Sequence, residues 1–173
     1  MHSNNTMLPA SDNTLVPAVY RALQKRAAVI LGAGGASLSP QSLVHDVLLK
    51  LYTSDSSAWR DERHFRAVAA VAMRQILIDR ARRKATLKHS SNGAHLSLTG
   101  IGESHDPVDG LALAGALESL EASRSRAARV VELRLFGGLD LQEVADEMDV
   151  SLSTVKREWR VGQAWLRTRL SGL

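Results

Sequence analysis

The sequence predicts an all-α protein made of two small helical domains joined by a flexible linker. The chain is 45% hydrophobic but only 4% aromatic, a composition that suits packed helices better than a β-sandwich. Apolar residues recur about every four positions in several segments, as amphipathic helices require. Residues 89–109 are rich in Ser, Gly, His and Asp and show no such period. They predict a linker between domains at 14–88 and 110–173.

Several classes of protein are excluded by what the chain lacks. With no cysteine among its 173 residues, it has no disulfide framework, thiolate metal site or cysteine nucleophile. Residues 1–13 are polar and do not have the layout of a secretory signal. No apolar run, that of residues 27–31 included, approaches the ~20 residues that span a bilayer. We therefore expect a soluble, cytoplasmic protein with no membrane insertion.

The sequence contains no pattern typical of an active site. Its six histidines form no HExxH or HxxxH pair, no serine occupies a Gly-x-Ser-x-Gly elbow, and no acidic pair stands out near either basic segment as a catalytic pair. We expect no catalytic residue, no metal site and no cofactor.

Positive charge is concentrated in two segments. The net charge is +4, yet residues 60–88 carry nine Lys or Arg against three acids, and residues 156–169 carry five against one. Acids dominate between them, over residues 103–121. This layout predicts two phosphate-facing surfaces. Solvated helix faces would explain the charges equally well.

The first domain begins with two predicted helices. One covers residues 14–31, and the next starts at Ser39-Pro40, a hydroxyl followed by proline, and runs to about Tyr52. Its core face consists of Leu43, Val44, Val47 and Leu51. A second stripe, His45, Leu49 and Tyr52, has Asp46 and Lys50 beside it. The second stripe predicts either a face presented to a partner or a fully buried helix.

A third helix is predicted over residues 62–84. Its expected buried side consists of Phe65, Val68, Ala69, Ala72, Ile76 and Leu77. Its C-terminal end carries Arg80, Arg82, Arg83 and Lys84. The helix dipole also favours cations at that end, so the charges alone do not establish DNA contact.

The second domain has the layout of a helix-turn-helix. A short helix over 111–120 precedes one that Ser123 would cap and that runs to about Leu135. Helices over 141–148 and 153–170 then flank a tight turn at Asp149-Val150. The donors expected to face outward on the last helix are Ser153, Thr154, Lys156, Arg157 and Arg160. A three-helix domain that binds no DNA is the alternative.

Three stretches in this order resemble the sigma-70 family of bacterial RNA polymerase sigma factors. They read SPQSLVHDVLLKLY, WRDERHFRAVAAVAMRQILIDRARRK and VVELRLFGGLDLQEVADEMDVSLSTVKREWRVGQAWL. The likeness is to the extracytoplasmic-function (ECF) group, which keeps only regions 2 and 4. It implies a sigma region 2-like helical bundle in the first domain and a region 4-like helix-turn-helix in the second. Asp149 stands where many such turns have glycine, and an aspartate tolerates the left-handed conformation needed there.

The resemblance also implies roles for particular residues. Docking on the clamp helices of the largest subunit of core RNA polymerase falls on His45, Asp46, Leu49 and Lys50. Binding and melting of the −10 promoter element fall on Trp59, Arg63, Arg66, Arg74, Asp79, Arg80, Arg82 and Arg83. Reading of the −35 element falls on Ser153, Thr154, Lys156, Arg157 and Arg160. The polymerase flap and an anti-sigma factor are further candidate partners.

Two other functions compete with a sigma factor. One is a stand-alone helix-turn-helix regulator of the LuxR-like kind, and the other is a nucleic-acid-processing enzyme. A plain regulator needs neither the basic helix at 62–84 nor the two-faced helix at 40–52. An enzyme would need a catalytic constellation. The sequence therefore favours a sigma factor that binds core polymerase, recognises both promoter elements and initiates transcription.

Overall fold

The computed structural model describes residues 15–32, 38–53, 60–87, 95–96 and 108–170. Within these ranges the chain is almost entirely helical, which confirms the all-α prediction. The helices are α1 (Leu15–Leu31), α2 (Pro40–Thr53), α3 (Glu62–Leu87), α4 (Gly110–Ser123), α5 (Ser125–Leu135), α6 (Leu141–Met148) and α7 (Leu152–Leu170). Among the helices of the described ranges, none combines the length and apolar character needed to cross a membrane.

Side-chain caps define where most of these helices begin. The Ser39 hydroxyl accepts a hydrogen bond from the Ser42 amide at 3.1 Å, as its position before Pro40 predicted. Asp109 caps α4 by accepting from the amide of Ala112 at 3.0 Å. Asp140 and Glu143 form a reciprocal capping box at the start of α6. Each cap satisfies amide groups that have no partner within their own helix.

Two predicted boundaries were wrong. Ser123 does not cap α5, because α4 continues through it, and Arg124 precedes α5 without a side-chain cap. Helix α3 extends to Leu87, three residues beyond the predicted end at residue 84.

A short antiparallel ladder lies within the predicted linker. Strand β1 (His95–Leu96) pairs with β2 (Val108–Asp109), with His95 opposite Asp109 and Leu96 opposite Val108. Leu96 is 5% exposed and belongs to the main hydrophobic core. Two-residue strands are too short to show a period in the sequence, so they were not predicted. The division into domains at 14–88 and 110–173 stays a prediction.

Helix α3 is central to the packing. It contacts α1 and α2, and also α4, α5 and α6. Of its predicted core residues, Phe65, Ala69, Ala72 and Leu77 are buried, and Val68 and Ile76 are half-buried. The predicted buried side was too narrow, because Ala67, Ala70, Met73, Ile78 and Ala81 are buried as well.

The helix-turn-helix forms as predicted. Asp149 occupies the left-handed region at φ 52°, ψ 50° and ends α6. Val144, Ala145 and Val155 are buried where α6 meets α7, while Met148, Val150 and Trp159 pack half-buried against them. The Arg134 guanidinium lies 5.2 Å from the centre of the Trp159 ring, a distance suited to a cation–π contact.

Helix α7 approaches α5 closely at Gly162. A Cβ atom at this position would lie 2.3 Å from Cγ2 of Val131, and Val131 is fully buried. Gly115, in contrast, lies on the exposed side of α4 with no atom within 4 Å of its would-be Cβ. Close packing therefore leaves no room for a side chain at position 162, whereas no such contact restricts position 115.

These two positions allow a matched test of the α5–α7 contact. Gly162→Ala gains helix propensity but overpacks the contact with Val131, so we expect a net loss of about 1–2 kcal/mol in unfolding free energy. Gly115→Ala has only the propensity term and should gain about 0.5–1 kcal/mol. Urea unfolding followed by circular dichroism measures both. Equal stabilisation by the two substitutions would contradict the close approach.

Candidate nucleic-acid interface

The two faces of α2 are as different as the sequence predicted. Its core face is buried, while the second stripe is exposed, with Leu49 at 51% and Tyr52 at 56% relative exposure. His45 and Lys50 are also exposed, and Asp46 is half-buried beside them. All four residues predicted to bind polymerase therefore lie on an accessible surface.

A cleft lies between this surface and α3. Its volume is about 320 Å³. It is lined by Asp46, Leu49, Lys50, Ile76, Asp79, Arg80 and Arg83. Arg80 forms an ion pair with Asp46 across it. The structure thus places three of the residues predicted to bind polymerase next to three predicted to bind the −10 element.

The remaining predicted −10 residues lie on another side of α3. Arg63, Arg66, Arg74 and Arg82 each form an ion pair with an acid from α4, α5 or α6. Arg63 lies 3.3 Å from Asp146, and Arg74 lies 3.2 Å from Glu121. The predicted −10 residues therefore belong to two surfaces, one facing the cleft and one facing the second half of the chain. Trp59 lies outside the described residues.

Two acids opposite α3 are almost completely buried. Glu132 lies 2.8 Å from Nε of Arg74, and its side chain is 10% exposed. Glu147, at 7% side-chain exposure, accepts from Nδ1 of His64 at 3.0 Å. Buried carboxylates need partners of opposite charge to offset the loss of hydration. Their roles were not predicted, because both residues lie outside the acidic segment at 103–121.

Arg26 of α1 is a further residue that sequence reasoning missed. Its Nε donates to the carbonyl oxygen of Leu135, at the C-terminal end of α5. Burial, with a smaller contribution from the positive charge of Arg134, lowers the pKa of Arg26 to about 10. The guanidinium stays charged at neutral pH, and a cation at a helix C-terminus is favoured by the helix dipole.

The start of α7 presents the residues predicted to read the −35 element. Ser153, Lys156, Arg157 and Arg160 are exposed. Thr154 is half-buried, and its hydroxyl lies 2.9 Å from that of Ser151. The Ser151 hydroxyl also accepts a hydrogen bond from the Thr154 amide. Four of the five predicted residues are thus exposed, while Thr154 takes part in the cap. Among the four, Arg157 forms an ion pair with Glu158 at 3.1 Å, and the Ser153 hydroxyl lies 2.9 Å from that of Ser151.

Asp61 caps α3, close to the predicted melting segment. Its carboxylate accepts from the His64 amide at 2.8 Å. This backbone hydrogen bond is the main cause that lowers the pKa of Asp61 below 3.8, aided by the charges of Arg63 and Arg60. A negative charge at this helix start is also favoured by the dipole.

An all-α fold that exposes a cationic helix-turn-helix together with a second arginine-rich helix is typical of DNA-binding transcription proteins. Comparison with known families narrows this class, because residues 9–172 match the family model described as ECF sigma factor. The chain belongs to the ECF sigma factor family, as the resemblance predicted. Members of this family act in transcription initiation with RNA polymerase and promoter DNA. No match was found among curated proteins or among solved structures.

The Asp61 cap has a predictable pH dependence. Because the folded-state pKa is lowered, its stabilisation is complete above about pH 4 and is lost as the pH falls through the lowered value. Asp61→Ala should cost about 1 kcal/mol at neutral pH, and Asp61→Asn much less, since asparagine also caps helices. Urea unfolding between pH 7 and pH 2 tests this. Identical acid-induced losses in wild type and Asp61→Asn would contradict it.

Proposed function

We propose that this chain binds core RNA polymerase, recognises the −10 and −35 promoter elements, and melts DNA to initiate transcription. The observation that carries the proposal is the exposed face of α2, where Leu49 and Tyr52 stand among charged residues. A stand-alone DNA-binding regulator has no need of such a face. We retain the two-domain division, with region 2-like residues 14–88, linker 89–109 and region 4-like residues 110–173, as part of the proposal.

Polymerase docking is assigned to α2. Its buried stripe holds the helix in the core, so that His45, Asp46, Leu49 and Lys50 can be offered to a partner without unfolding. Exposed apolar side chains surrounded by charge suit a protein interface with an apolar centre and a polar rim. The occupant proposed for this face is the clamp of the largest polymerase subunit.

Promoter recognition is divided between two helices. At the start of α7, arginines can pair with guanine edges in the major groove, and Lys156 and the hydroxyl of Ser153 can bind phosphates. On α3, Asp79, Arg80 and Arg83 face the cleft beside the polymerase-binding residues. The −10 element is assigned to these three together with Arg63, Arg66, Arg74 and Arg82.

Strand opening requires surfaces that hold unpaired bases as well as cations. Trp59, just before α3, is assigned to this role on the resemblance to the family. Phe65 is not, because it is buried at 8% exposure. The polymerase flap and an anti-sigma factor remain proposed further partners.

Competition for core polymerase tests the proposal directly. The purified chain should co-elute with cognate core RNA polymerase in size-exclusion chromatography and be displaced by an excess of the housekeeping sigma factor. A folded chain that does not co-elute would instead favour a stand-alone helix-turn-helix regulator.

Asp46→Lys should weaken co-elution with core polymerase by about tenfold, because a charge at the docking surface is reversed. The same substitution also breaks the ion pair with Arg80, so Arg80→Ala is the matched control. We expect Arg80→Ala to leave polymerase binding within about twofold of wild type. Equal losses in both variants would show that the ion pair matters, and not a contact from Asp46 to polymerase.

Arg157→Ala and Arg160→Ala should each reduce transcription from a promoter with a −35 element, by about five- to hundredfold if base contacts worth 1–3 kcal/mol are lost. Thr168→Ala serves as a control, because Thr168 is exposed near the far end of α7. In vitro transcription on paired templates with and without the −35 element measures the effect. A loss of equal size on both templates would contradict the assignment.

A further inference from the structure

We infer that the second half of the chain carries an acidic surface that occupies the arginines of α3 in the free protein, in the place that DNA phosphates take during initiation. The acidic surface consists of Glu118, Glu121, Glu143, Asp146 and Glu147. The inference rests on the proposed function, in which α3 binds promoter DNA. It adds a form of regulation to that site, since the chain itself competes with the promoter.

The ion pairs are distributed along the length of α3. Its N-terminal part pairs with α6, through Arg63 with Asp146 at 3.3 Å and Arg66 with Glu143. Its C-terminal part pairs with α4, through Arg82 with Glu118. From residue 63 to residue 82 the helix rises about 28 Å. Acids therefore accompany the arginines over most of the length of α3.

Arg74 stands at the middle of this contact and has two partners. Glu121 of the acidic surface lies 3.2 Å away, and the buried Glu132 lies 2.8 Å from its Nε. The Arg74 side chain is only 17% exposed. A phosphate could reach this guanidinium only after the acids in front of it have moved away.

Small residues allow the two parts to come this close. Ala67 and Ala70, on the same side of α3 as the paired arginines, are completely buried. Ala67 packs in the cluster that contains Val130 and Val144. A Cβ at Gly137 would lie 3.2 Å from that of Ala70. The arginines thus lie beside a close contact between small side chains. Because this contact partly buries the guanidinium groups, acids are needed opposite them to offset the lost hydration.

The pairs at the α4 end suit a contact that can be exchanged. Arg82 and Glu118 are each about half exposed, at 49% and 53%, and Glu121 is 56% exposed. Exposed ion pairs are individually weak and are screened by salt. A promoter that offers several phosphates at once can therefore replace them. Until it does, the apparent affinity of α3 for DNA equals its intrinsic affinity multiplied by the fraction of chains in which the acids have moved away from the arginines.

Two double substitutions separate this competition from a simple change in net charge. Glu118→Gln with Glu121→Gln removes two negative charges that face α3. Asp109→Asn with Asp140→Asn removes two at the starts of α4 and α6 that form no ion pair with α3 in the described part of the chain. Asparagine is suited to both control positions, because each is a helix N-cap. Each double variant carries a net charge of +6, from +4 plus two.

Affinity for a mixed-sequence DNA duplex, measured by fluorescence anisotropy at low salt, is the first readout. We expect the Glu118/Glu121 variant to bind about three- to tenfold more tightly than the Asp109/Asp140 variant. Equal affinities of the two variants would overturn the inference, because net charge alone would then explain any gain. Circular dichroism melting verifies that both variants are folded.

A distance measurement provides a second readout that does not depend on function. The chain has no cysteine, so spin labels can be placed at Gln75→Cys on α3 and Ala164→Cys on α7, both exposed positions. We expect a short, narrow distance distribution in the free chain and a longer population when Glu118→Gln and Glu121→Gln are added or the duplex is supplied. An unchanged distribution in both cases would overturn the inference. Failure of the wild type to bind core polymerase would count against the proposed function and would leave these two readouts interpretable.

Discussion

The burial of α3 on two sides is the constraint on which the rest of the structure depends. A helix that contacts α1 and α2 as well as α4, α5 and α6 must have small side chains where its neighbours come closest. Ala67, Ala69, Ala70 and Ala72 meet this need. Because close packing is specific to shape, the alanines also set the positions of the flanking helices. The exposed face of α2 and the helix-turn-helix are thus held in place by the same helix.

The cations of α3 are compatible with this burial only because acids lie opposite them. Arginines have long apolar stems that can cover neighbouring side chains while the guanidinium reaches an edge of the contact. Glu132 and Glu147 are then deeply buried with cationic partners from α3. Removing one member of such a pair would leave a buried charge without compensation. The charge pattern therefore belongs to the packing as well as to any nucleic-acid surface.

Sequence patterns identified those features that depend on neighbouring residues. The two faces of α2, the cap at Ser39 and the left-handed turn at Asp149 are all set by residues within one or two helical turns, and each was confirmed. Ser123 was misplaced because a serine can either end one helix or cap the next, and here it is the last residue of α4. The double burial of α3 was missed, since alanine fits a core, an interface or a surface equally well.

Long-range pairings lay beyond the reach of sequence reasoning. The ion pairs between α3 and α4–α6 join residues 36 to 84 positions apart, and nothing in a single sequence says which acid meets which arginine. The same holds for the bond from Arg26 to Leu135 and for the β1–β2 ladder. The candidate DNA-binding residues of α7 could be chosen by charge and spacing, and those for the −10 element by the resemblance to the family, but the division of the latter between two surfaces depends on the tertiary fold.

The close packing of α7 against α5 at Gly162 has a consequence for how the sequence of such a protein can change during evolution. The helix is anchored by Gly162 and Leu166, which are buried toward its second half, whereas Lys156, Arg157 and Arg160 are exposed toward its start. The residues that anchor this helix and those proposed to contact bases are therefore different. Substitutions at the exposed positions leave the anchor intact, so the DNA contacts proposed for them can change in a descendant of this chain without a change of fold.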